Sequence, residues 1–357
     1  MGGILGAVTL AVQSLDKETL NIVKRANIKF DKFSDLVNEF RLHNIPTYTE
    51  IIMGLPGETL ESYKSGLEDI AHTRIGIVFI YNCGVLPNAP MNAPAYKKQY
   101  DIKVIRSPIM LVHSSMYRRG MPEYEEIIVS TNTCSTEELK QVYLYSWSFL
   151  VFHSLGILEQ IAEYYNKIYK LEFMKFYDLL LEFCRKEDSI FSEEFQKVTE
   201  HIDNGYSGKG WDHFDQQLGE ITWPIEEASW LRLTKNRDRL QSDIERLLEY
   251  CERKQNYGIS KLVLHDLSKF QTFLLTTKDT KNETKIEHFH YDWKNFFTDS
   301  AELKQIEKIY YYKNKMLESD PILWNYKVIW YGRRSRDYKC YPENLQEQFT
   351  KVIIRSK

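Results

Sequence analysis

The chain of 357 residues is long enough for about two domains, each with a hydrophobic core of its own. Its 47 Lys and Arg nearly balance 50 Asp and Glu, and a net charge of -3 provides no basic field for nucleic-acid binding. The longest strongly apolar stretch, residues 146–158, is too short to span a bilayer, and no signal peptide is evident. We therefore predict a cytoplasmic protein that binds neither nucleic acid nor a membrane.

The five cysteines are spread widely along the chain, at Cys83, Cys134, Cys184, Cys251 and Cys340. An odd number at such spacing argues against a disulfide framework and against a zinc or iron–sulfur site built from neighbouring thiols. A reducing compartment is the default for such a chain. The sequence predicts no metal-binding residue.

The first third of the chain alternates apolar, β-branched runs with helical patterns, which predicts βαβ units. We predict strands at 4–13, 47–53 and 75–82, and helices at 17–24, 31–43 and 60–71. The third strand is nearly all apolar, as buried parallel strands are. Ligands of parallel α/β folds bind at the carboxyl ends of strands, so Gln13, Ser14, Glu50 and the loop 54–58 are candidates for a cofactor site.

The pattern changes after Cys83. Prolines predict an irregular loop over 84–96, and short strands are expected at 102–105 and 127–131. From Ser135, which begins a capping-box pattern, helices are predicted at 136–154, 157–168, 172–185, 192–203 and 226–255. The tail predicts strands at 261–264 and 326–331 and a helix at 301–316. We divide the chain into 1–105 and a mainly helical region, 106–357.

Three parallel strands cannot cover their own edges, and parallel sheets are normally buried on both faces. The first strand, residues 4–12, is too apolar for an exposed edge. We expect a missing upstream segment or a partner chain to lie beside it. The chain is thus interpreted as the later part of a larger barrel.

Two motifs in this region resemble the second half of the radical S-adenosylmethionine (SAM) enzymes. They are V-Q-S-L-D-x-E-T-L-x-x-x-x-R, from Val12 to Arg25, and E-I-I-M-G-L-P-G-E-T, from Glu50 to Thr59. Enzymes of that family build a partial (β/α)6 barrel and use a [4Fe-4S] cluster to cleave SAM. The resemblance implies an α/β fold: the last three strands of such a partial barrel, followed by a mainly helical region with a few strands.

The resemblance also implies roles for individual residues. Gln13, with Ser14 beside it, corresponds to the polar residue that hydrogen-bonds the SAM ribose. Arg25 stands where an arginine reaches the methionyl carboxylate, and Glu50 where an acid helps hold the ribose hydroxyls. The loop that approaches the adenine would be Gly54, Leu55, Pro56 and Gly57. An amide, a carboxylate and a guanidinium suit these partners. Each residue also has a structural alternative. Gln13 could simply end a strand, Arg25 could form a surface ion pair, and Glu50 could pair with a base on a neighbouring strand. The loop 54–58 could be only a strand-to-helix turn.

The chain departs from the family because it has no C-x3-C-x2-C loop to bind the cluster. Without thiolate ligands there is no cluster and no reductive cleavage of SAM, so we expect the chain alone to be inactive and assign no catalytic residue. Residues 81–96 are similar to cobalamin-binding members of the superfamily. The resemblance therefore implies that the [4Fe-4S] cluster and cobalamin require an upstream segment. A noncatalytic half-barrel that binds a partner is the alternative function.

Three further groups of residues carry weaker signals. His288 and His290 would share one face of an extended chain, but without a third ligand a polar strand face is favoured over a metal site. His113 precedes two serines but lacks an acid partner for a hydrolytic triad. Arg333, Arg334, Arg336 and Lys339 favour a solvated turn over a site for an anionic partner.

Overall fold

The computed structural model describes residues 7–115, 121, 123–278, 284–298, 302–314 and 316–345. The chain packs as two compact units. The first comprises Met1–Ser154 and Glu194–Ala228, and the second comprises Leu155–Glu193 and Ser229–Lys357. The functional division near residue 105 stays a prediction.

The helices and strands of the first 154 residues follow in chain order. They are β1 (Val8–Thr9), α1 (Lys17–Ile22), α2 (Phe30–Leu42), β2 (Thr47–Met53), α3 (Leu60–Thr73), β3 (Ile77–Asn82), a 3-10 turn (Pro90–Asn92), α4 (Pro94–Gln99), β4 (Lys103–Pro108), β5 (Tyr124–Ser130), α5 (Thr136–Ser148) and a π-helical turn (Phe149–Ser154).

The remaining described elements are mostly helical. They are α6 (Glu159–Tyr169), α7 (Phe173–Lys186), α8 (Ile190–Tyr206), β6 (His213–Phe214), β7 (Thr222–Trp223), α9 (Ile225–Thr234), α10 (Arg237–Gln255), α11 (Lys261–Phe273), β8 (Thr284–Phe289), α12 (Trp293–Thr298), β9 (Lys308–Lys313), α13 (Pro321–Asn325), a second π-helical turn (Tyr326–Tyr331) and β10 (Glu343–Asn344).

A three-stranded parallel sheet organises the first unit. Its order is β1-β2-β3. Strand β2 pairs with β3 from Tyr48, opposite Ile77, to Met53, opposite Asn82. Side chains of β2 alternate strictly between buried and half-buried, and α2 and α5 pack against this strand. The predicted alternation of parallel strands and helices is confirmed. The closure of a barrel around these strands stays a prediction.

The first strand is shorter than predicted. Only Val8 and Thr9 pair continuously with β2, and pairing resumes at Gln13, opposite Ile51. Residues 4–6 of the predicted strand lie outside the described residues. Among the described strands, β1 forms an edge of the sheet, and Thr9 is exposed there.

Local capping explains where two helices of the first unit begin. Thr59 and Ser62 form a reciprocal capping box at α3, and Ser135 and Glu138 form one at α5. Such boxes satisfy backbone N–H groups that have no partner inside the helix. The start predicted at Ser135 is therefore confirmed.

An antiparallel hairpin of β4 and β5 follows the parallel sheet. It continues from the end of β3, because the Ile128 N–H donates to the Cys83 carbonyl at 3.0 Å and Val85 N–H donates to Glu126 at 2.7 Å. The two short strands expected after the proline-rich loop are thus present. Strand β4 continues beyond the predicted end at 105 to Pro108, and β5 begins at Tyr124, before the predicted start at 127.

The second unit combines helices with a small antiparallel sheet. Helix α11 packs against α6 and α10, α7 packs against α6 and α10, and the sheet has the order β10-β9-β8. Aromatic rings fill the space between α11 and this sheet. Phe270 contacts the rings of Phe289, Trp293, Phe297 and Tyr310 at centroid separations of 5.5 to 6.2 Å.

Three predicted elements of the tail are wrong. Residues 261–264 begin helix α11 rather than a strand, because Ser260 caps it and Leu264, Leu267 and Phe270 recur on its buried side. Residues 326–331 are a π-helical turn. Within the described part of 301–316, residues 308–313 form β9, consistent with the β propensity of Ile and Tyr. Short apolar runs do not distinguish helix from strand by themselves.

The predicted helix 226–255 is also interrupted. It divides into α9 and α10, and the Asn236 side chain accepts from the Arg239 N–H to start the second helix. Among the described residues, no helix combines the length and the apolar character needed to cross a membrane.

Asp266 provides a stability test of the second unit. This buried carboxylate accepts hydrogen bonds from the backbone N–H groups of His290 and Tyr291 and, at 2.8 Å, from Trp293 Nε1. We expect Asp266→Ala to lower the free energy of unfolding by about 3 kcal/mol, because buried donors lose a charged acceptor. Urea unfolding measures this loss.

Two variants control that experiment. Asp266→Asn keeps one carbonyl acceptor and should lose less stability than Asp266→Ala. Glu249→Ala removes an exposed carboxylate of α10 and should change stability by less than about 0.5 kcal/mol. Equal stability of Asp266→Ala and the wild type would contradict the structural role of this carboxylate.

Candidate functional site

Gln13 and Glu50 lie on adjacent segments of the parallel sheet. The Gln13 N–H donates to the Glu50 carbonyl at 2.9 Å, and the Ile52 N–H donates to the Gln13 carbonyl at 2.8 Å. Gln13 has a φ of 58°, a left-handed conformation that turns the chain out of the strand. The structure therefore brings these two predicted site residues together at neighbouring strands.

The half-buried face of β2 carries Tyr48, Glu50 and Ile52. On the neighbouring strand, Phe79 and Tyr81 are paired in register with Glu50 and Ile52, and Tyr81 is 49% exposed. The Gln13 and Glu50 side chains make no hydrogen bond or ion pair with any described residue. Glu50 thus presents its carboxylate on the half-buried face of β2, and Gln13 follows β1 in register with Ile51.

Arg25 is held against the end of the first strand. Its Nη2 donates to the Ala11 carbonyl and its Nε to Asn27 Oδ1, each at 3.1 Å. Asn27 in turn donates to the carbonyls of Val12 and Ser14. A guanidinium has five N–H donors, so these two bonds orient Arg25 and leave three donors for another acceptor.

Ser14 has a different environment from the other candidates. It is buried, and its hydroxyl donates to Glu58 Oε1 at 2.6 Å while accepting from the Asp16 N–H at 3.1 Å. Its side chain therefore connects the turn after β1 with the loop after β2. The sequence interpretation missed Glu58 as the partner, although the P-G-E-T motif contains it.

Burial dominates the chemistry of Glu58. Loss of solvation raises its pKa to about 8, with the Ser14 hydrogen bond opposing that shift and the Asp16 charge adding to it. Glu58 Oε2 is buried without a hydrogen-bond partner, which also disfavours the charged form. At neutral pH the group is therefore mostly an uncharged acid.

The loop 54–57 is shaped by two glycines. Gly54 and Gly57 have φ values of +86° and +95°, which other residues rarely adopt. A Cβ on Gly57 would lie 2.4 Å from Ile22 Cδ1, so this glycine also allows α1 to approach the loop. Leu55 and Pro56 are buried between these glycines. The loop is therefore held by internal packing on at least one side.

The thiols of the described chain do not suit an iron–sulfur cluster. Cys83, Cys134, Cys184 and Cys251 are buried as free thiols, and no described group of potential metal ligands includes a cysteine. Burial, with a smaller contribution from Glu58, raises the pKa of Cys83 to about 12, which keeps it a neutral thiol. We assign no reaction step to a cluster bound by these residues.

Two of the weaker sequence candidates have partners that the sequence did not reveal. His113 Nε2 lies 2.6 Å from the buried carboxylate of Glu227, so an acid partner exists. The Ser114 hydroxyl donates to the Leu111 carbonyl at 2.8 Å and not to the imidazole. This arrangement gives no support to a serine nucleophile at Ser114.

The predicted solvated turn around Arg333 and Lys339 is wrong in two places. Arg333 is only 4% exposed, and the Lys339 side chain is 8% exposed and forms an ion pair with Glu159. Burial lowers the pKa of Lys339 to about 8, although Glu159 opposes the shift. These cations are therefore largely structural parts of the second unit rather than a free basic patch.

The paired histidines of the tail gain a third group. Strand β8 ends next to His290, and Glu307 immediately precedes β9, its antiparallel neighbour. Glu307 forms ion pairs with both imidazoles. Its hydrogen bond raises the pKa of His290, and the same bond lowers the pKa of Glu307. The sequence interpretation missed Glu307 because it lies 17 residues beyond His290, just before the next strand.

The fold is α/β, and Gln13 and the loop 54–57 follow neighbouring parallel strands, at the edge of such a sheet where cofactors bind, while Glu50 lies in the middle of β2. No family model matches the chain. It is 23% identical over 317 residues to the cobalamin-dependent radical SAM methyltransferase TokK of Streptomyces tokunonensis, covering 82% of this chain and 45% of that protein.

Two further relatives agree with this relationship. The 2-(S-pantetheinyl)-carbapenam-3-carboxylate methyltransferase of Streptantibioticus cattleyicolor is 21% identical over 325 residues, covering 85% of this chain and 46% of the relative. A probable threonylcarbamoyladenosine tRNA methylthiotransferase of Methanocaldococcus jannaschii is 46% identical over 61 residues, covering 16% of this chain and 14% of that protein. The chain spans less than half the length of the two methyltransferases.

These relatives confirm the resemblance to the cobalamin-type radical SAM enzymes that was found in the sequence. Both relatives that match most of this chain are named as methyltransferases, and TokK is named as a cobalamin-dependent radical SAM enzyme.

Glu58 makes stability depend on pH in a defined direction. Because its pKa is raised from 4.5 to about 8 in the folded protein, its contribution favours folding below pH 4.5 and is lost as pH rises to about 8. In urea titrations, the contribution of Glu58 to the free energy of unfolding should therefore fall by up to about 1.4 kcal/mol per pH unit between pH 4.5 and about pH 8.

Glu58→Gln removes the titrating group but retains an acceptor for Ser14. This variant should lose that pH-dependent component and equal or exceed the wild type in stability at pH 8. Glu61→Gln changes an exposed carboxylate of α3 and should keep the wild-type profile. If Glu58→Gln retained the full wild-type pH dependence, a raised pKa at Glu58 would be excluded.

Proposed function

We propose that this chain provides the SAM-binding strands of a cobalamin-dependent radical SAM methyltransferase. The main support is the pair of backbone hydrogen bonds at Gln13, which makes it a direct neighbour of Glu50 at adjacent strands. Both side chains are free of partners among the described residues. The methyltransferase relatives add support at the level of the family.

In this proposal, Gln13 and Glu50 bind the ribose of SAM. A carboxamide can both donate to and accept from a hydroxyl, and a carboxylate accepts from the diol. Arg25 binds the methionyl carboxylate with the donors that Ala11 and Asn27 do not use. When bound, SAM supplies the methyl and 5′-deoxyadenosyl groups of the family's chemistry.

The loop Gly54–Leu55–Pro56–Gly57 would face the adenine in the same proposal. Its two glycines provide the positive φ values that set the path of the backbone in this loop. We give Ser14 a positioning role, since its hydroxyl already donates to Glu58. The Ser14–Glu58 pair would hold the two cofactor-binding segments in register.

The iron–sulfur cluster and cobalamin belong to residues outside this chain in our proposal, and the chain alone is inactive. The described cysteines do not form a ligand set for a cluster. A segment upstream or a partner chain beside the edge strand β1 would supply these groups.

The test uses the longest natural protein that contains this chain, reconstituted anaerobically with iron, sulfide and cobalamin. Equilibrium dialysis measures SAM binding, and chromatography measures 5′-deoxyadenosine and S-adenosylhomocysteine. We expect Gln13→Ala and Glu50→Ala each to weaken SAM binding about tenfold or more, because each removes a hydrogen bond to the cofactor.

Glu39→Gln is the matched control, since Glu39 is an exposed carboxylate of α2 that pairs with His43. Its SAM affinity should equal that of the wild type. Unchanged affinity in Gln13→Ala and Glu50→Ala would remove the proposed cofactor site. A cluster-loaded protein that forms neither product would instead favour the noncatalytic half-barrel.

A further inference from the structure

Two imidazoles and a carboxylate meet on the small antiparallel sheet of the second unit. We propose that His288, His290 and Glu307 form a binding site for a divalent transition-metal ion such as Zn2+. The site belongs to the second unit and uses none of the residues assigned to SAM.

The ligand atoms of these three residues are already close together. His288 Nε2 lies 2.5 Å from Glu307 Oε2, and His290 Nδ1 lies 2.8 Å from Glu307 Oε1. One ligand atom from each residue falls within 4.8 Å of the others. The imidazole centroids are 5.4 Å apart, with the rings perpendicular. The three groups thus surround a common point at the surface.

The donor set fits a transition metal better than Mg2+ or Ca2+. Imidazole nitrogens and a carboxylate oxygen are ordinary ligands of Zn2+, whereas Mg2+ and Ca2+ prefer oxygen alone. Zinc bonds of about 2.1 Å at tetrahedral angles separate two ligand atoms by about 3.4 Å. The present N–O distances need to lengthen by less than about 1 Å, and these partly exposed side chains have room to move.

The backbone that carries the ligands is well supported. Asp266 accepts from the His290 N–H, and Lys269 Nζ donates to the His288 carbonyl at 2.8 Å. Across the sheet, His288 pairs with Ile309 and Phe289 with Lys308, next to Glu307. Ligands on supported strands need little reorganisation on binding, which favours affinity.

A simple surface ion pair is the competing interpretation. The same unit contains one for comparison, between His265 Nδ1 and Glu245 Oε1 at 2.9 Å. That pair has one imidazole, whereas Glu307 has two. With the second imidazole, the group at Glu307 offers three ligands. Catalytic zinc sites use three protein ligands together with a water molecule.

The experiment titrates the full chain, under reducing conditions at pH 8, with Zn2+ alone and measures binding by isothermal calorimetry. We expect one Zn2+ per chain at this site. His288→Ala, His290→Ala and Glu307→Gln should each weaken that binding at least about tenfold, since loss of a group that only supports a ligand already has an effect of this size. Mg2+ should not compete for the site.

His265→Ala is the matched control and should bind Zn2+ as the wild type does. Metal-free variants are compared by circular dichroism and urea unfolding to establish that they remain folded. Zn2+ should raise the urea midpoint of the wild type but not of His288→Ala, because binding to the folded state stabilises it. The proposal is overturned if the wild type binds no Zn2+ or if the three variants retain wild-type affinity.

Discussion

Two backbone hydrogen bonds at Gln13 hold the end of the first strand against β2. They form although Gln13 has a left-handed backbone, which is uncommon for a residue other than glycine. The turn that results carries Ser14 into the interior and starts α1, where Asp16 accepts from the Thr19 N–H. Of the candidates for SAM binding, Gln13 and Ser14 lie on this turn and Glu50 lies on β2. The loop 54–57 directly follows β2, and Arg25 donates to the Ala11 carbonyl just before the turn.

Asn27 and Glu58 support this turn from two sides. Asn27 donates to the carbonyls of Val12 and Ser14, while Glu58 accepts the Ser14 hydroxyl. A buried, mostly uncharged carboxyl makes this contact without the full cost of burying a charge. The turn after β1 and the loop after β2 therefore behave as one structural element, which suits a site that needs both.

The second unit follows the same physical rule at Asp266. This buried carboxylate satisfies three donors around the start of α12, among the aromatic rings that cover α11. A buried charge is tolerated where several hydrogen bonds compensate its lost solvation. On the exposed side of the adjoining strands, His288, His290 and Glu307 come together.

Local sequence signals predicted much of the first unit and less of the second. Strand 47–53 has the predicted bounds, and the capping pattern at Ser135 marks the start of α5. The secondary structure predicted for 261–264, 301–316 and 326–331 is wrong. Short apolar runs there fit the periodicity of a helix or of a strand, and tertiary packing decides which one forms.

By itself, the sequence determined the strand–loop–helix order, the helix caps and the two motifs of the cofactor family, because each depends on residues close together in the chain. Only the tertiary structure decided which polar groups are paired or buried. Ser14 meets Glu58 across 44 residues and His113 meets Glu227 across 114. The partner in such contacts is selected by the packing of strands and helices, and no local pattern records that choice.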